Sequence, residues 1–119
     1  MRVLVCAGDR DNRVTLGILL RSEGYVVQLA KDGTEAIDIA AAYRPDVAFL
    51  DIEMPERSGF EVAQEFQRRF GNACPFLIAL AAHGESNKQE QAEISGFNHF
   101  LAKPYDAHEL LSVLASLDR

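Results

Sequence analysis

Asp51 closes the apolar run Val47-Ala48-Phe49-Leu50, and Lys103 closes the run His99-Phe100-Leu101-Ala102. A carboxylate and an ammonium at neighbouring strand ends favour each other's charged form, which suits either a salt bridge or a polar reaction centre. Taken alone, the pair fits an ordinary strand-end ion pair equally well. Other chemistries find less support. His83, His99 and His108 form no HExxH or related ligand array, so a zinc site has little basis. Cys6 and Cys74 lie far apart without CxxC spacing and read as reduced thiols acting as small apolar residues. No Gly-x-Ser-x-Gly elbow or phosphate-cradling loop is present. Asp51, Glu53 and Glu56 share one loop, but nothing spaces two carboxylates for glycoside hydrolysis. A flavin phosphate would want small hydroxylated residues after the first strand, where Gly8-Asp9-Arg10-Asp11 brings two acids.

The elements that position these residues follow from hydrophobic patterning. Residues 3–7, 25–29, 47–50, 76–81 and 99–102 read as strands, several of them unbroken apolar runs of the kind covered on both faces of a parallel sheet. Between them lie helical patterns. The first carries a stripe of Val14, Ile18, Leu19 and Leu20, with N-cap oxygens offered by Asp11 and Asn12, and stops at Gly24. The second spans 34–43, between Asp32-Gly33 and Pro45. The third opens on a Ser58/Glu61 capping box, points Val62, Phe66 and Phe70 inward and ends at Gly71-Asn72. The fourth, after Ser86/Gln89, is polar, with Ala92 and Ile94 its apolar residues before Gly96, and is expected to be weakly anchored. The fifth follows Asp106/Glu109 and carries Leu110, Leu111, Val113, Leu114 and Leu117.

Five strands alternating with five helices imply an α/β, doubly wound five-stranded parallel sheet with right-handed crossovers. In such sheets polar functional groups gather beyond the carboxyl ends of the strands, at the point where strand order reverses. That places Ala7-Gly8-Asp9, Asp51, Ala81-Ala82-His83 and Lys103 at one edge.

Composition sets the wider bounds. The chain has 119 residues, 48% hydrophobic and 25% charged, so one globular domain over 1–119 is expected rather than disorder. Twelve Lys and Arg stand against 18 Asp and Glu, a net charge of −6. Nucleic acids and anionic membranes both need a basic face, so neither is expected as a partner. With no signal-peptide pattern and no long apolar stretch, the chain reads as soluble and cytoplasmic.

Along the chain stand Val3-Leu4-Val5 with Asp9-Arg10-Asp11-Asn12, then Gly24-Tyr25, Ala30-Lys31-Asp32-Gly33 and Pro45-Asp46-Val47. Leu50-Asp51-Ile52-Glu53-Met54-Pro55, Ser58-Gly59-Phe60-Glu61 and Leu101-Ala102-Lys103-Pro104 complete the series. In that order, and over essentially the whole chain, they resemble the response-regulator receiver domains of two-component phosphorelay systems. The resemblance implies a flavodoxin-like receiver fold with strand order 2-1-3-4-5. It makes Asp51 the nominal acceptor of a phosphoryl group from a phosphohistidine. It implies Mg²⁺ held by Asp51, the backbone oxygen of Glu53 and an acidic pair after strand one. Lys103 would contact the phosphoryl group or Asp51. A hydroxyl after strand four and an aromatic residue on strand five, Phe100 here, would report the modification. It also suggests a cis Lys103-Pro104 bond.

The match is incomplete. The acidic-pair positions are Ala7 and Gly8, and the hydroxyl position is Ala81. Asp9, an acid one place later, is the candidate substitute, although a one-residue shift at a strand end reverses side-chain direction. One carboxylate and a backbone oxygen are thin support for an octahedral cation. A receiver module with impaired Mg²⁺-dependent phosphorylation and switching is therefore expected, with no cofactor and a constitutive Asp51–Lys103 ion pair. Its partners would be a sensor histidine kinase, a phosphotransfer protein or another signalling protein at the helix 4–strand 5–helix 5 face. The alternative is a working receiver phosphorylated on Asp51 and using Mg²⁺, with at most self-catalysed aspartyl chemistry.

Overall fold

A computed structural model of the chain describes residues 1–82 and 84–118, apart from the side chain of Ser86. Five strands, β1 (Arg2–Cys6), β2 (Val26–Ala30), β3 (Val47–Asp51), β4 (Phe76–Ala81) and β5 (His99–Ala102), form one sheet. Every pairing is parallel and the order is β2-β1-β3-β4-β5. The helices between them are α1 (Arg10–Ser22), α2 (Gly33–Tyr43), α3 (Gly59–Phe70), α4 (Gln89–Ser95) and α5 (Ala107–Leu117). The expected architecture and strand order are both present.

The sheet separates two cores. Leu4, Cys6, Leu50, Leu77 and Ala79 point toward α2, α3 and α4, where they meet Ile37, Val62, Phe66 and Ala92. Val3, Val5, Phe49 and Ile78 point the other way, onto Leu16 and Leu20 of α1 and Leu110 and Leu114 of α5. Covering on both faces explains why β1, β3 and β4 are unbroken apolar runs, while edge strand β2 alternates.

Local details of the helices follow the sequence expectations in part. In α1 the cap is Asp9, whose carboxylate accepts the Asn12 amide at 3.3 Å, and not Asp11 or Asn12. The buried stripe is Leu16, Gly17 and Leu20, and Ile18 is 62% exposed. In α3 the Ser58/Glu61 capping box forms, and Phe70 is half-buried, edge-on to Phe66 with ring centroids 5.4 Å apart. In α4 only Ala92 and Ser95 are buried, and Ile94 turns out to solvent. At α5, where Asp106/Glu109 has the spacing of a capping box, Asp106 accepts the Glu109 amide at 2.6 Å without a return bond from Glu109. The Ser86/Gln89 pairing and the placement of His83 fall outside the described side chains.

The end of β3 depends on one glycine. Gly59 opens α3 with its amide donating to the Ile52 carbonyl at 2.9 Å. A Cβ at Gly59 would overlap the Asp51 carbonyl and the Ile52 Cα. That close approach lets α3 start against the strand end and fixes the chain on which Asp51 sits.

Candidate functional site

Asp51, Lys103 and Ala81 meet where the sequence places them, beyond the carboxyl ends of β3, β4 and β5. They line a cavity of about 70 Å³ together with Asn12, Glu53, Leu80, Ala82 and Glu85. Backbone bonds set the register of its walls: Ile52 donates to the Leu80 carbonyl and Lys103 to the Ala81 carbonyl, each at 3.0 Å. The Lys103–Pro104 bond is cis.

Asp51 is half-buried, and its carboxyl is pushed up to about 6. Burial is the main cause, with the Asp9 and Glu85 charges adding to it. The Lys103 ammonium and the Gly8 amide pull the other way without prevailing. The expected Asp51–Lys103 salt bridge is not formed. Among the described residues the ion pairs join Arg57 to Glu65, Arg69 to Glu65, Lys88 to Glu53 and Lys88 to Glu85. Lys103 therefore acts on Asp51 as a charge across the cavity and not as a contact.

The other sequence-selected positions divide. Ala7 is 2% exposed just past β1, its amide on the Ala30 carbonyl at 3.1 Å. Gly8 turns outward, and a Cβ there would meet Pro55 Cδ at 3.1 Å. Asp9 is the α1 cap, and Arg10 is exposed and does not line the cavity. Phe100 is half-buried against the core beneath α4 and lines a separate cavity of about 100 Å³ with Ala92 and Phe97.

Three polar residues, Arg13, Glu85 and Lys88, escaped the sequence reading, and Asn12 was read only as a cap and a motif residue. Arg13 donates to the Ala7 carbonyl at 2.8 Å, and Asn12 lines the cavity. Glu85 accepts the Ala82 amide at 2.8 Å and the Lys88 ammonium at 2.9 Å. Burial works against the charged form of Glu85. Even so, Lys88, Glu53 and the Ala82 amide together hold its carboxyl below the usual range. The three-residue spacing of Glu85 and Lys88 was a usable signal, whereas nothing in the sequence marked Arg13.

The model of the response regulator receiver domain family matches residues 3–115. The chain belongs to this family. Response regulator MprA of Mycobacterium avium is 38% identical over all 119 residues, and MprA of Mycobacterium bovis is 37% identical. The receiver chain spans about half of these relatives, 51% of each. Among solved structures it resembles chemotaxis regulator CheY4 of Vibrio cholerae, with TM-score 0.87, 27% identity and coverage of 98% and 97% of the two chains. It also resembles TrrA of Thermotoga maritima, solved in complex with Mg²⁺ and BeF. That match has TM-score 0.86, 28% identity and coverage of 98% and 97%.

Membership makes the chain a receiver domain of two-component signalling, a class that works with histidine kinases or phosphotransfer proteins and is generally not a classical enzyme. Such receivers typically use Mg²⁺, so the donor set bears testing. The side chains of Ala7 and Gly8 bring no oxygen. Asp9 accepts the Asn12 amide, and both Glu85 oxygens are engaged, one by the Ala82 amide and one by an ammonium. Among the described residues no three His, Cys, Asp or Glu side chains are grouped to hold a metal ion. That leaves the Asp51 carboxylate as the anionic donor facing the cavity, a thin basis for an octahedral cation whose other positions would fall to neutral oxygens and water. No described helix is long and apolar enough to cross a membrane.

Proposed function

We propose that this receiver is a cytoplasmic phosphorelay module that acts through protein contacts, with Asp51 as its nominal phosphoacceptor and its Mg²⁺-dependent phosphorylation and switching impaired. The observation that carries the reading is the composition of the Asp51 cavity, whose wall after β4 is Ala81 and Ala82. Phosphoryl transfer to a carboxylate needs a cation beside the transferring oxygens, and losing it removes much of the electrostatic stabilisation. Ala81 affects a second step, because a methyl group donates no hydrogen bond to a phosphoryl oxygen and gives Phe100 nothing to follow. A ligand without differential contacts does not shift a two-state equilibrium. The proposed contact face is α4, β5 and α5, where Ile94 is 77% exposed.

The working-receiver reading draws on a different observation. Asp51 and Lys103 still share one cavity, and the similar TrrA was solved with Mg²⁺ and BeF. One experiment separates the two. The chain is incubated with Mg²⁺ and acetyl phosphate or phosphoramidate, and its intact mass is measured. We expect no phosphoryl adduct, and no amide shifts on adding Mg²⁺ or beryllofluoride. A stoichiometric adduct that vanishes in Asp51→Asn would establish the working receiver.

A further inference from the structure

Two acids that line the Asp51 cavity, Glu53 and Glu85, share an ammonium from outside its lining that phosphoryl chemistry leaves unused. Lys88 Nζ lies 2.9 Å from Glu85 Oε2 and 3.6 Å from Glu53 Oε1. The two acids stand on different loops. Glu53 follows β3, two residues beyond Asp51, while Glu85 precedes the 3-10 turn Ser86–Lys88 that leads directly into α4. Glu85 is anchored to its own loop: its side chain accepts the Ala82 amide at 2.8 Å, and its amide donates to the Ala82 carbonyl at 3.0 Å. Its side chain is only 12% exposed. Ala82, Glu85 and Lys88 are thereby bonded to one another, and Glu53 is where that group meets the loop carrying Asp51.

Helix α4 needs such a tether. It is seven residues long, it buries only Ala92 and Ser95, and it has no side-chain cap at its start. Helices with few buried apolar contacts open locally at low free-energy cost.

We propose that Lys88 is a built-in clasp, its ammonium joining the β3–α3 loop to the β4–α4 connection and holding the start of α4 in place without any phosphoryl group. The clasp rests on the preceding reading in one respect: with Ala81 at the hydroxyl position, no phosphoryl-directed hydrogen bond draws this connection toward Asp51. The Lys88–Glu53 pair supplies that link permanently. Glu53 is 70% exposed, so the cross-loop link is screened by salt while the Lys88–Glu85 half persists.

Hydrogen exchange read by mass spectrometry on the whole chain, without Mg²⁺ or phosphoryl donor, tests the clasp. Wild type is compared with Glu53→Gln, Lys88→Met, the double variant and Lys88→Arg. Each neutral single variant is expected to speed exchange over residues 85–97 by about two- to five-fold, the range of exposed ion pairs in double-mutant cycles. The double variant should exchange no faster than Lys88→Met, and Lys88→Arg should match wild type. In about 1 M salt the Glu53→Gln difference should shrink. Wild-type exchange in Glu53→Gln, or additive single effects, would overturn the clasp. Equal unfolding midpoints across the set show that the comparison reads local opening. A phosphoryl adduct in the separate mass assay would sink the impaired-switch reading and leave the exchange result standing.

Discussion

Arg13 Nη1 donates to the Ala7 carbonyl at 2.8 Å, so a guanidinium rests on the backbone at the first of the two positions that the resemblance assigns to an acidic pair. The second position, Gly8, is closed from the other side by Pro55. The turn after β1 is thus built around small residues, and reinstating an acid there has a defined cost. Gly8→Asp should lose about 1 kcal/mol by pressing on Pro55. Adding Mg²⁺ should restore part of that loss, since a ligand that binds only the folded state stabilises it. Thermal melts with and without Mg²⁺ decide the matter: wild type should not respond, and a raised wild-type Tm would contradict the donor inventory given for Asp51.

Asp51 makes stability fall as pH rises. Its carboxyl moves from 3.8 unfolded to about 6 folded, so between those values the folded chain keeps a proton that the unfolded chain has released. Stability from this group is full below pH 4 and is lost by pH 6, on the order of 1 to 3 kcal/mol. Asp51→Asn cannot ionise. Urea titrations from pH 4 to pH 7 should show the variant gaining on wild type through that window and exceeding it at pH 7. A constant difference across the window would mean that Asp51 titrates normally.

Sequence alone exposed some of this and hid the rest for physical reasons. β1, β3 and β4 were legible because strands covered on both faces lose their alternation, and Asp51 and Lys103 stood out as charges ending such runs. The α1 stripe was misread because Val14, Leu16, Ile18, Leu19 and Leu20 admit more than one helical face. Only the position of the sheet selects Leu16 and leaves Ile18 exposed. Asp9, Asp11 and Asn12 are all competent caps, and the choice among them depends on where β1 releases the chain. The Asp51–Lys103 salt bridge failed because two residues sharing a cavity need not touch. The meeting of Glu53, Glu85 and Lys88 joins two loops, and local patterning carries no information about that distance.

The two cysteines should differ sharply as nucleophiles. Cys6 is fully buried, its Sγ donating to the Asp32 carbonyl at 3.3 Å and lying 3.2 Å from Met54 Sδ. Burial, then the charges of Asp51, Asp32 and Glu35, push its thiol up to about 12. Cys74 is half-buried and is raised by burial alone. Only the thiolate attacks an alkylating reagent. Iodoacetamide at about pH 8 should add one group to the native chain, at Cys74, and a second only in denaturant. Native labelling at Cys6 would show that the face of the sheet beneath Asp51 opens readily.

Two glycine substitutions separate crowding from backbone conformation at the site. At Gly59 a new Cβ would overlap the Asp51 carbonyl and Ile52, both backbone groups that no rotamer change can move aside. Gly59→Ala should therefore cost about 3 kcal/mol or more, at the upper end of overpacking effects. It should also shift the Asp51 amide resonance, because α3 must withdraw from the end of β3. At Gly24 nothing lies within 4 Å of the added Cβ, and the difficulty is a φ of +93°. Gly24→Ala should cost about 1 kcal/mol for the left-handed backbone and leave Asp51 undisturbed. Urea midpoints for both variants, with amide spectra, make the comparison. Equal losses in the two, or an unmoved Asp51 in Gly59→Ala, would mean that α3 does not fix the strand end bearing the carboxylate.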